Sequence, residues 1–500
     1  MDNGTAKTGA LPEAPGLRRE GALEIAPQVK RTGWLAGLRR VATWVAEREL
    51  WLVAIAAPTL MFPEILPRAA VVAGLLLISL LWLVRWVARG YVTVRTPLDM
   101  PILGLVAMLP LTLYASVNLQ LSLPKLTGII LGVATFYGIV NAVRTRKDIW
   151  LITGLFLLGG VGISLLSLVG TDWIATKFPI FAPIYKRIPQ LIRGLTRSPG
   201  GAFHPNEVGG TLILFIPLTL SLLLAMVRMP AGSRPVLSAA EGWQMADSRW
   251  SAVYQPSANG VRARWSLCIG LSLTLLITFF TFALTQSRSA FFGLGVALLA
   301  LAAIKNRWLR LIFGLAVVAS LVILWSFGLE RVGHLLLDVG QETVAVGTLT
   351  FAGRLEVWQR AIYMIQDFPY TGIGLNTFDL VANVLYPFFL VGPEAHVIHA
   401  HNNFLQVGVD LGIPGLVAYV GLLTVFTLTA WRIYQRCADL KLRAVAVGLF
   451  CGLLAHQVYG LTDAITLGAK PGIVIWAMMG LMVAVESHVW STCRQGHGHG

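Results

Sequence analysis

Long apolar stretches recur along most of this chain, and only short segments with charged residues separate them. A helix that crosses a bilayer needs about 20 predominantly apolar residues, so each stretch is a candidate span. This pattern predicts an all-α polytopic membrane protein with about 12 transmembrane helices. The predicted spans are roughly 49–66, 69–88, 99–117, 124–143, 148–170, 208–228, 265–284, 289–305, 308–328, 404–431, 443–463 and 471–490.

The scarcity of charge supports the same conclusion. Of the 500 residues, 13% are charged and 56% are hydrophobic, whereas soluble proteins carry about 25% charged residues. The net charge of +15 would suggest nucleic acid in a soluble protein. Here it fits the cytoplasmic loops of a membrane protein, so we expect no nucleic-acid partner. The four cysteines have no CxxC spacing and predict neither a disulfide framework nor a zinc site.

The distribution of Lys and Arg predicts the orientation. If the N-terminus is cytoplasmic and the spans alternate, most of the 39 Lys and Arg residues fall on the cytoplasmic side, as the positive-inside rule requires. Both termini are then cytoplasmic, and two segments, 171–210 and 329–403, face outward. The second is long enough to predict a functional loop. Within it, the helical spacing of apolar residues from Arg354 to Gln366 predicts an amphipathic helix.

These features divide the chain into five regions. We expect residues 1–48 to form a basic, largely disordered cytoplasmic tail without a signal peptide, ending in a basic helix from Trp34 to Arg48. Next come N-terminal transmembrane helices (49–194), a region with the candidate site residues and the outer loop 329–403 (195–425), C-terminal transmembrane helices (426–490) and a cytoplasmic tail (491–500). The cytoplasmic loop 229–264, rich in Pro, Gly and Ser, is expected to be a flexible spacer.

A histidine-rich sequence, HVIHAHNN at 396–403, stands where the outer loop re-enters the membrane. A single histidine in such a position is more often a structural hydrogen-bonding residue, but three histidines within six residues favour chemistry. Imidazole has an unperturbed pKa near neutrality, which suits proton transfer. A metal site is the alternative. His399 and His401 lack the HExxH spacing, and Glu394 is the only nearby carboxylate in the sequence, so we predict no metal.

Three arginines near the outer side are candidates for binding an anion. Arg288 lies between two apolar runs, and Ser287 or Ser289 could cap the helix that follows. Arg197 precedes a Gly-Gly pair, and Arg354 opens the amphipathic helix. Each could instead be a solvated or snorkelling arginine. Together with the histidines on the same face they suit a lipid-linked phosphate or diphosphate, because guanidinium groups bind such anions in a bidentate manner.

Four short motifs within roughly 195–425 match a known pattern. The sharpest is His401-Asn402 followed by Gly412 and Gly415, within HNNFLQVGVDLGIPG. The others are FHPNEVGG around His204, QSRSAF around Arg288, and GRLEVWQRA with FPYTGIGLNTF between Gly353 and Phe378. In these motifs the chain resembles the O-antigen ligase and polymerase superfamily of bacterial membrane glycosyltransferases. The basic tail and the 229–264 loop depart from the family pattern.

The resemblance implies transfer of a glycan from an undecaprenyl-diphosphate-linked donor to a glycan or lipid acceptor, without metal or other cofactor. It implies that His401 is the base that activates the acceptor hydroxyl and that Arg288 binds the diphosphate as the second catalytic residue. The site would face the periplasm from the bacterial inner (plasma) membrane, where membrane lipid is a further partner. The remaining residues expected to bind substrate are Arg197, Arg354, His204, Asn206, His399 and Asn402.

Several alternatives stay open at this point. The same superfamily includes ligases, polymerases that extend a lipid-linked glycan, and transferases to protein, and short motifs do not separate them because the donor chemistry is shared. Some relatives with this domain are described as bicarbonate transporters, and twelve helices also suit secondary transport. Transporters usually place their polar residues near the middle of the membrane in related halves. Here the ionisable residues gather at the outer face, which favours a transferase.

Overall fold

The computed structural model describes a largely helical chain. The described residues are 33–173, 182–189, 191, 203–228, 258–304, 306–319, 322, 326, 351–392 and 396–497. Arg197 and Glu394 lie outside them, as do most of the 229–264 loop, most of the N-terminal tail and residues 327–350 of the outer loop. Predictions about those segments stay predictions.

Helices dominate the described part of the chain, together with loops and one isolated β-bridge between Thr171 and Phe203. Side chains of Asn118, Thr145 and Asp439 cap three of the helices by accepting backbone N–H bonds. The helices are α1 (Gly33–Glu47), α2 (Glu49–Met61), α3 (Arg68–Arg89), α4 (Asp99–Ala115), α5 (Leu119–Ala142), α6 (Arg146–Gly170), α7 (Ala182–Tyr185), α8 (Pro205–Leu212), α9 (Ile216–Arg228), α10 (Ala258–Leu284), α11 (Arg288–Ala303), α12 (Phe351–Asp367), α13 (Phe378–Leu385), α14 (Asn403–Arg436), α15 (Leu440–Tyr459) and α16 (Gly472–His497).

Eight helical segments are long and apolar enough to cross a membrane, which confirms a multi-pass membrane protein. Three further apolar helices, α2, α4 and α11, are shorter than a full span. The span predicted at 308–328 is described continuously only to residue 319. The count of twelve spans and the predicted orientation therefore stay predictions. The eight segments are Arg68–Arg89, Leu119–Ala142, Arg146–Gly170, Pro205–Val227, Arg262–Leu284, Asn403–Arg436, Leu440–Tyr459 and Gly472–Ser491.

The most buried spans are α5, α8–α9, α15 and α16, whereas fewer than half of the residues in the spans of α3, α6, α10 and α14 are buried. Glycine allows the closest approach. A Cβ atom on Gly132 of α5 would lie 2.1 Å from the indole ring of Trp476 on α16. Trp476 is fully buried, and its Nε1 donates to the carbonyl of Leu467 at 3.2 Å. The two central helices thus interlock at a residue that tolerates no side chain.

Helix α14 is broken at Gly412, which has φ 68° and ψ −176°. The predicted span 404–431 is therefore two successive helices, before and after this residue. The loop after α12 fills the break, because the Ile373 amide donates to the Val409 carbonyl at 2.9 Å and the Ile413 amide donates to the Pro369 carbonyl at 2.7 Å. These bonds satisfy backbone groups that the interrupted helix leaves free.

The amphipathic helix predicted in the outer loop is confirmed as α12, although its buried face differs in detail. Val357, Ala361 and Met364 are fully buried, at the i, i+4, i+7 spacing of a helix. Ile362, which the sequence assigned to the apolar face, is 43% exposed. The packing of α13 and the 386–391 segment against α12 selects this face.

Replacing Gly132 with alanine should destabilise the bundle by about 1–3 kcal/mol, because the added methyl group overlaps the Trp476 ring. Thermal unfolding of the purified protein in detergent measures this. Gly154→Ala on α6 is the matched control, since no atom lies within 4 Å of its Cβ position. Equal melting temperatures for the two variants would contradict the packing.

Candidate functional site

Polar loops from four segments meet at one end of the bundle. Helix α14 begins where α15 ends, because the Asn403 amide donates to the Gly460 carbonyl at 2.7 Å. Helix α11 runs alongside, since a Cβ on its Gly293 would lie 2.4 Å from the Ala455 carbonyl oxygen of α15. Helix α8 reaches the same place, with the Gly210 carbonyl 3.2 Å from His456 Nδ1. Ends of helices that are far apart in the sequence thus form one surface.

His401 and Asp463 face each other at the centre of this surface. The Nδ1 atom of His401 lies 3.6 Å from Asp463 Oδ1, and His399 Nε2 lies 3.8 Å from the same oxygen. The two imidazole rings meet edge to face at 4.2 Å between centroids, and the His401 amide donates to His399 Nδ1 at 3.2 Å. Nδ1 of His401 therefore points at a carboxylate, which leaves Nε2 for a ligand. In catalytic triads a carboxylate orients a histidine base through a hydrogen bond to Nδ1, whereas here the 3.6 Å separation is longer than a hydrogen bond.

The two residues after His401 hold the loop that carries Asp463. Asn402 caps α14 by accepting from the amides of residues 404 and 405, and its Nδ2 donates to the Leu461 carbonyl at 3.1 Å. Asn403 is fully buried, and its Oδ1 accepts from the Ile465 amide at 2.9 Å. The His401-Asn402-Asn403 sequence thus places the imidazole and clamps its carboxylate partner at the same time.

Asp463 is 6% exposed and stays ionised at neutral pH. Burial by itself raises the pKa of this carboxyl, but its polar contact with His401 and the charges of His401, His399 and Arg354 outweigh burial and hold the pKa well below its usual range. Tyr459 also hydrogen-bonds to Asp463. Because the pKa of Asp463 is lower in the folded protein than in the unfolded chain, its ionised carboxylate stabilises the fold. This contribution to the free energy of unfolding is complete above the unfolded pKa of about 3.9 and is lost only as the pH falls toward the folded pKa.

Two adjacent glycines join the Arg288 motif to this cluster. A Cβ on Gly209 of α8 would lie 3.0 Å from Thr285 Oγ1 and 3.2 Å from the Cβ of Ser287. A Cβ on Gly210 would lie 2.5 Å from the ring of Tyr459. One face of α8 therefore packs on the turn before Arg288, and the next residue packs on the helix end that leads to Asp463. The glycine pair of FHPNEVGG serves this close packing.

Arg288 is the first residue of α11, and its side chain is exposed. Ser287 occupies the N-cap position as predicted, but its hydroxyl makes no capping hydrogen bond. Arg288 therefore lies at the N-terminus of the helix, where the first backbone amides and the helix dipole favour an anion.

The other predicted residues are distributed unevenly. His399 and Arg354 belong to the cluster around Asp463. His204 is exposed and caps α8, with its Nδ1 accepting from the Asn206 amide at 3.3 Å. The third histidine of the sequence motif, His396, lies apart: its side chain is 82% exposed and pairs with Asp379 at 3.0 Å. Arg197 lies outside the described residues, and no contact is assigned to it.

Backbone strain gathers at this end of the molecule. The non-glycine residues with positive φ in the described chain are Gln286 (49°), Asn376 (61°) and His401 (46°). Such conformations cost of order 1–3 kcal/mol each and cluster at functional sites. Gln286 is two residues before Arg288 and donates to the Tyr185 hydroxyl at 2.5 Å. Both expected catalytic positions are therefore at or beside strained backbone.

Asp463 and the buried His456 were missed by the sequence reasoning. The predicted span 443–463 absorbed both residues, whereas helix α15 ends at Tyr459 and leaves Asp463 in a loop. The sequence indicated Glu394 as the nearby carboxylate, and this residue lies outside the described part of the chain. Among the described residues, Asp463 faces His401 from 62 residues further along the chain. Ionisable residues inside an apolar stretch are functional candidates by default, and that signal could have found both.

The same cluster has a composition that could hold a metal ion. Ligand atoms of His399, His401 and Asp463 lie within 4.8 Å of one another. Two imidazoles and a carboxylate are common zinc ligands with a fourth position left open. The absence of a metal therefore stays a prediction, and dialysis of the protein against EDTA tests it.

Replacing Asn402 with alanine should cost about 1 kcal/mol of stability, because α14 loses its N-cap. Asn402→Asp keeps the accepting oxygen but loses the donation from Nδ2 to the Leu461 carbonyl, so it should recover only part of that stability in thermal unfolding. Asn118→Ala is the matched control, since Asn118 caps α5 in the same way. If Asn402→Asp unfolds as readily as Asn402→Ala, the capping role is wrong.

Comparison with known proteins supports the resemblance seen in the motifs. The family model described as O-antigen ligase matches residues 273–420. That stretch includes Arg288, Arg354 and His401, which confirms the predicted superfamily resemblance for this part of the chain. The match supports a membrane glycan-processing function of the O-antigen ligase or polymerase type. No curated protein matches the chain significantly.

Proposed function

We propose that this protein transfers a glycan from an undecaprenyl-diphosphate carrier to an acceptor hydroxyl at the outer face of the bacterial inner membrane, as an O-antigen ligase does. The observation that carries the proposal is the pairing of His401 with Asp463 inside a cluster that contains Arg354. His401 and Arg354 belong to the stretch that matches the O-antigen ligase family. Asp463 lies beyond this stretch, and its proposed role is to orient the His401 imidazole.

The proposed step begins when His401 Nε2 removes the proton of the acceptor hydroxyl. The acceptor oxygen attacks the anomeric carbon of the donor sugar, and a new carbon–oxygen bond forms as the bond to the diphosphate breaks. The electron pair leaves with undecaprenyl diphosphate. Asp463 stabilises the imidazolium through Nδ1, and the separation of 3.6 Å needs to shorten by only about half an ångström to become a hydrogen bond. Displacement in one step inverts the anomeric centre.

Positive charge and helix geometry support binding of the diphosphate. Arg288 begins α11, where the free amides and helix dipole favour an anion. The charge of Arg354 lowers the pKa of Asp463, which supports assigning a second guanidinium to this site. We assign the diphosphate to Arg288 and Arg354, with Arg197 as a third contact predicted by the motifs. We assign substrate contacts to His204, Asn206 and His399.

The direct test incubates the purified protein with undecaprenyl-diphosphate glycan and lipid A core, and identifies the product. We expect the glycan on the core acceptor. Product that carries a longer glycan on the carrier would identify a polymerase instead, and absence of any glycan transfer would contradict the proposal. In this assay His401→Ala should abolish transfer, because the variant loses the imidazole that faces Asp463 Oδ1 and is proposed to act as the base. The outcome is measured as the initial rate.

His396→Ala is the matched control for His401→Ala. It removes an exposed histidine that is five residues away and pairs with Asp379 instead. We expect the wild-type rate for this variant, and near-normal transfer by His401→Ala would show the base assignment to be wrong. The same preparations are assayed after dialysis against EDTA. An unchanged rate fits the histidine–carboxylate pair, whereas a loss that Zn²⁺ restores would assign His399, His401 and Asp463 to a metal.

Arg288→Lys should lower transfer strongly, by roughly 10–100-fold in kcat/KM, because an ammonium group cannot reproduce the bidentate fork of a guanidinium on diphosphate. Arg307→Lys is the control, since Arg307 is exposed and stacks on Trp308. Steady-state kinetics against donor concentration measure the effect. Equal rates for Arg288→Lys and the wild type would remove Arg288 from the diphosphate site.

A further inference from the structure

A buried ion pair joins α5 to the first part of α14. Lys125 Nζ lies 2.8 Å from Asp410 Oδ2, and the two side chains are 5% and 4% exposed. Both residues lie within helices that qualify as membrane spans. Charges at such depth are costly and are retained where they have a role. The catalytic step described above does not use this pair.

Hydrogen bonds lead from this ion pair toward His401. The other carboxylate oxygen, Asp410 Oδ1, accepts from Gln406 Nε2 at 2.8 Å and from the Asn376 amide at 3.2 Å. Gln406 Oε1 in turn accepts from the Ala400 amide at 2.7 Å. Gln406 and Ala400 are both fully buried. A continuous buried chain therefore runs from the Lys125 ammonium to the residue immediately before His401.

Ala400 immediately precedes a residue with a strained backbone conformation. His401 has φ 46°, in the left-handed region that a residue with a side chain rarely adopts. On its other side, the His401 carbonyl accepts only a long bond, 3.4 Å from Trp358 Nε1. The bond from the Ala400 amide to Gln406 Oε1, at 2.7 Å, is shorter than this bond and than the 3.2 Å bond from the His401 amide to His399 Nδ1. If it were lost, the backbone could relax to negative φ, and the imidazole would turn away from Asp463.

We propose that Lys125, Asp410 and Gln406 are positioning residues that hold the His401 imidazole against Asp463. Lys125 fixes the carboxylate of Asp410, Asp410 fixes the amide of Gln406, and Gln406 fixes the backbone at Ala400. The inference rests on the proposed role of His401 as the base. It adds three residues, one of them from α5, outside the stretch that matches the O-antigen ligase family.

A second buried ion pair provides a matched control. Arg85 of α3 pairs with Glu49 of α2, and their side chains are 0% and 4% exposed. Arg85 also donates to the Val92 carbonyl at 2.7 Å, in the loop after α3. This pair is as buried as Lys125–Asp410, and within the described part of the chain its contacts lead to a loop carbonyl rather than to the candidate site. A general loss of stability should therefore appear when either pair is disrupted. A loss of His401 positioning should appear only when Lys125–Asp410 or its link to Ala400 is disrupted.

The experiment compares Gln406→Met, Asp410→Asn and Glu49→Gln in the full-length protein. Gln406→Met keeps the ion pair and removes both side-chain hydrogen bonds of the link. We measure kcat and KM for glycan transfer, per folded protein recovered from size-exclusion chromatography. We also measure the rate at which diethylpyrocarbonate modifies His401, by mass spectrometry, with the exposed His396 as internal reference.

We expect Gln406→Met and Asp410→Asn to lower kcat by about 100-fold with little change in KM, as misplacement of a catalytic group does. Both should change the modification rate of His401 relative to His396, whereas Glu49→Gln should change neither. Wild-type kcat and His401 modification in Gln406→Met would overturn the proposal, as would an equal change in Glu49→Gln. If the wild type transfers no glycan, the proposed function fails, and the modification rates still decide whether the link positions His401.

Discussion

The break in α14 at Gly412 is the constraint on which the candidate site depends. An interrupted helix inside a membrane leaves backbone groups that must find partners within the protein. The loop after α12 supplies them through bonds between Ile373 and Val409 and between Pro369 and Ile413. Only glycine fits, since a Cβ at residue 412 would lie 2.7 Å from the Pro369 carbonyl oxygen. The break thereby ties the loop after α12 to the bundle and separates the first part of α14, which begins beside the candidate site, from its longer second part.

The candidate site depends on short segments that several neighbours hold at once. The first part of α14 presents His401, Asn402 and Asn403 to the loop after α15, and that loop returns Asp463. Helix α8 then fills the space between this loop and the turn before Arg288. Polar side chains are expensive beside an apolar bundle unless each has a partner. Asn402 and Asn403 satisfy backbone groups of this loop, whereas His401 Nδ1 faces Asp463 Oδ1 at 3.6 Å without a hydrogen bond.

Two ion pairs show how similar burial can have different consequences. Glu49 and Arg85 connect α2 to α3, and the bonds of Arg85 end at a loop carbonyl. Lys125 and Asp410 connect α5 to α14, and the bonds of Asp410 continue to Gln406 and the backbone beside His401. The desolvation cost is comparable, because both pairs are almost fully buried. What differs is the direction in which hydrogen bonds extend from each pair.

The sequence by itself determined that this is a helical membrane protein, where most of its helices lie, and which motifs carry His401, Arg288 and Arg354, because apolar length and residue type are local properties. It could not determine where α15 ends, so Asp463 remained hidden in a predicted span. Only the tertiary structure decided that His401 and His399 face Asp463, that the third histidine of the motif, His396, lies apart, and that α14 breaks at Gly412. Those outcomes depend on contacts between segments distant in the chain, which no local pattern encodes.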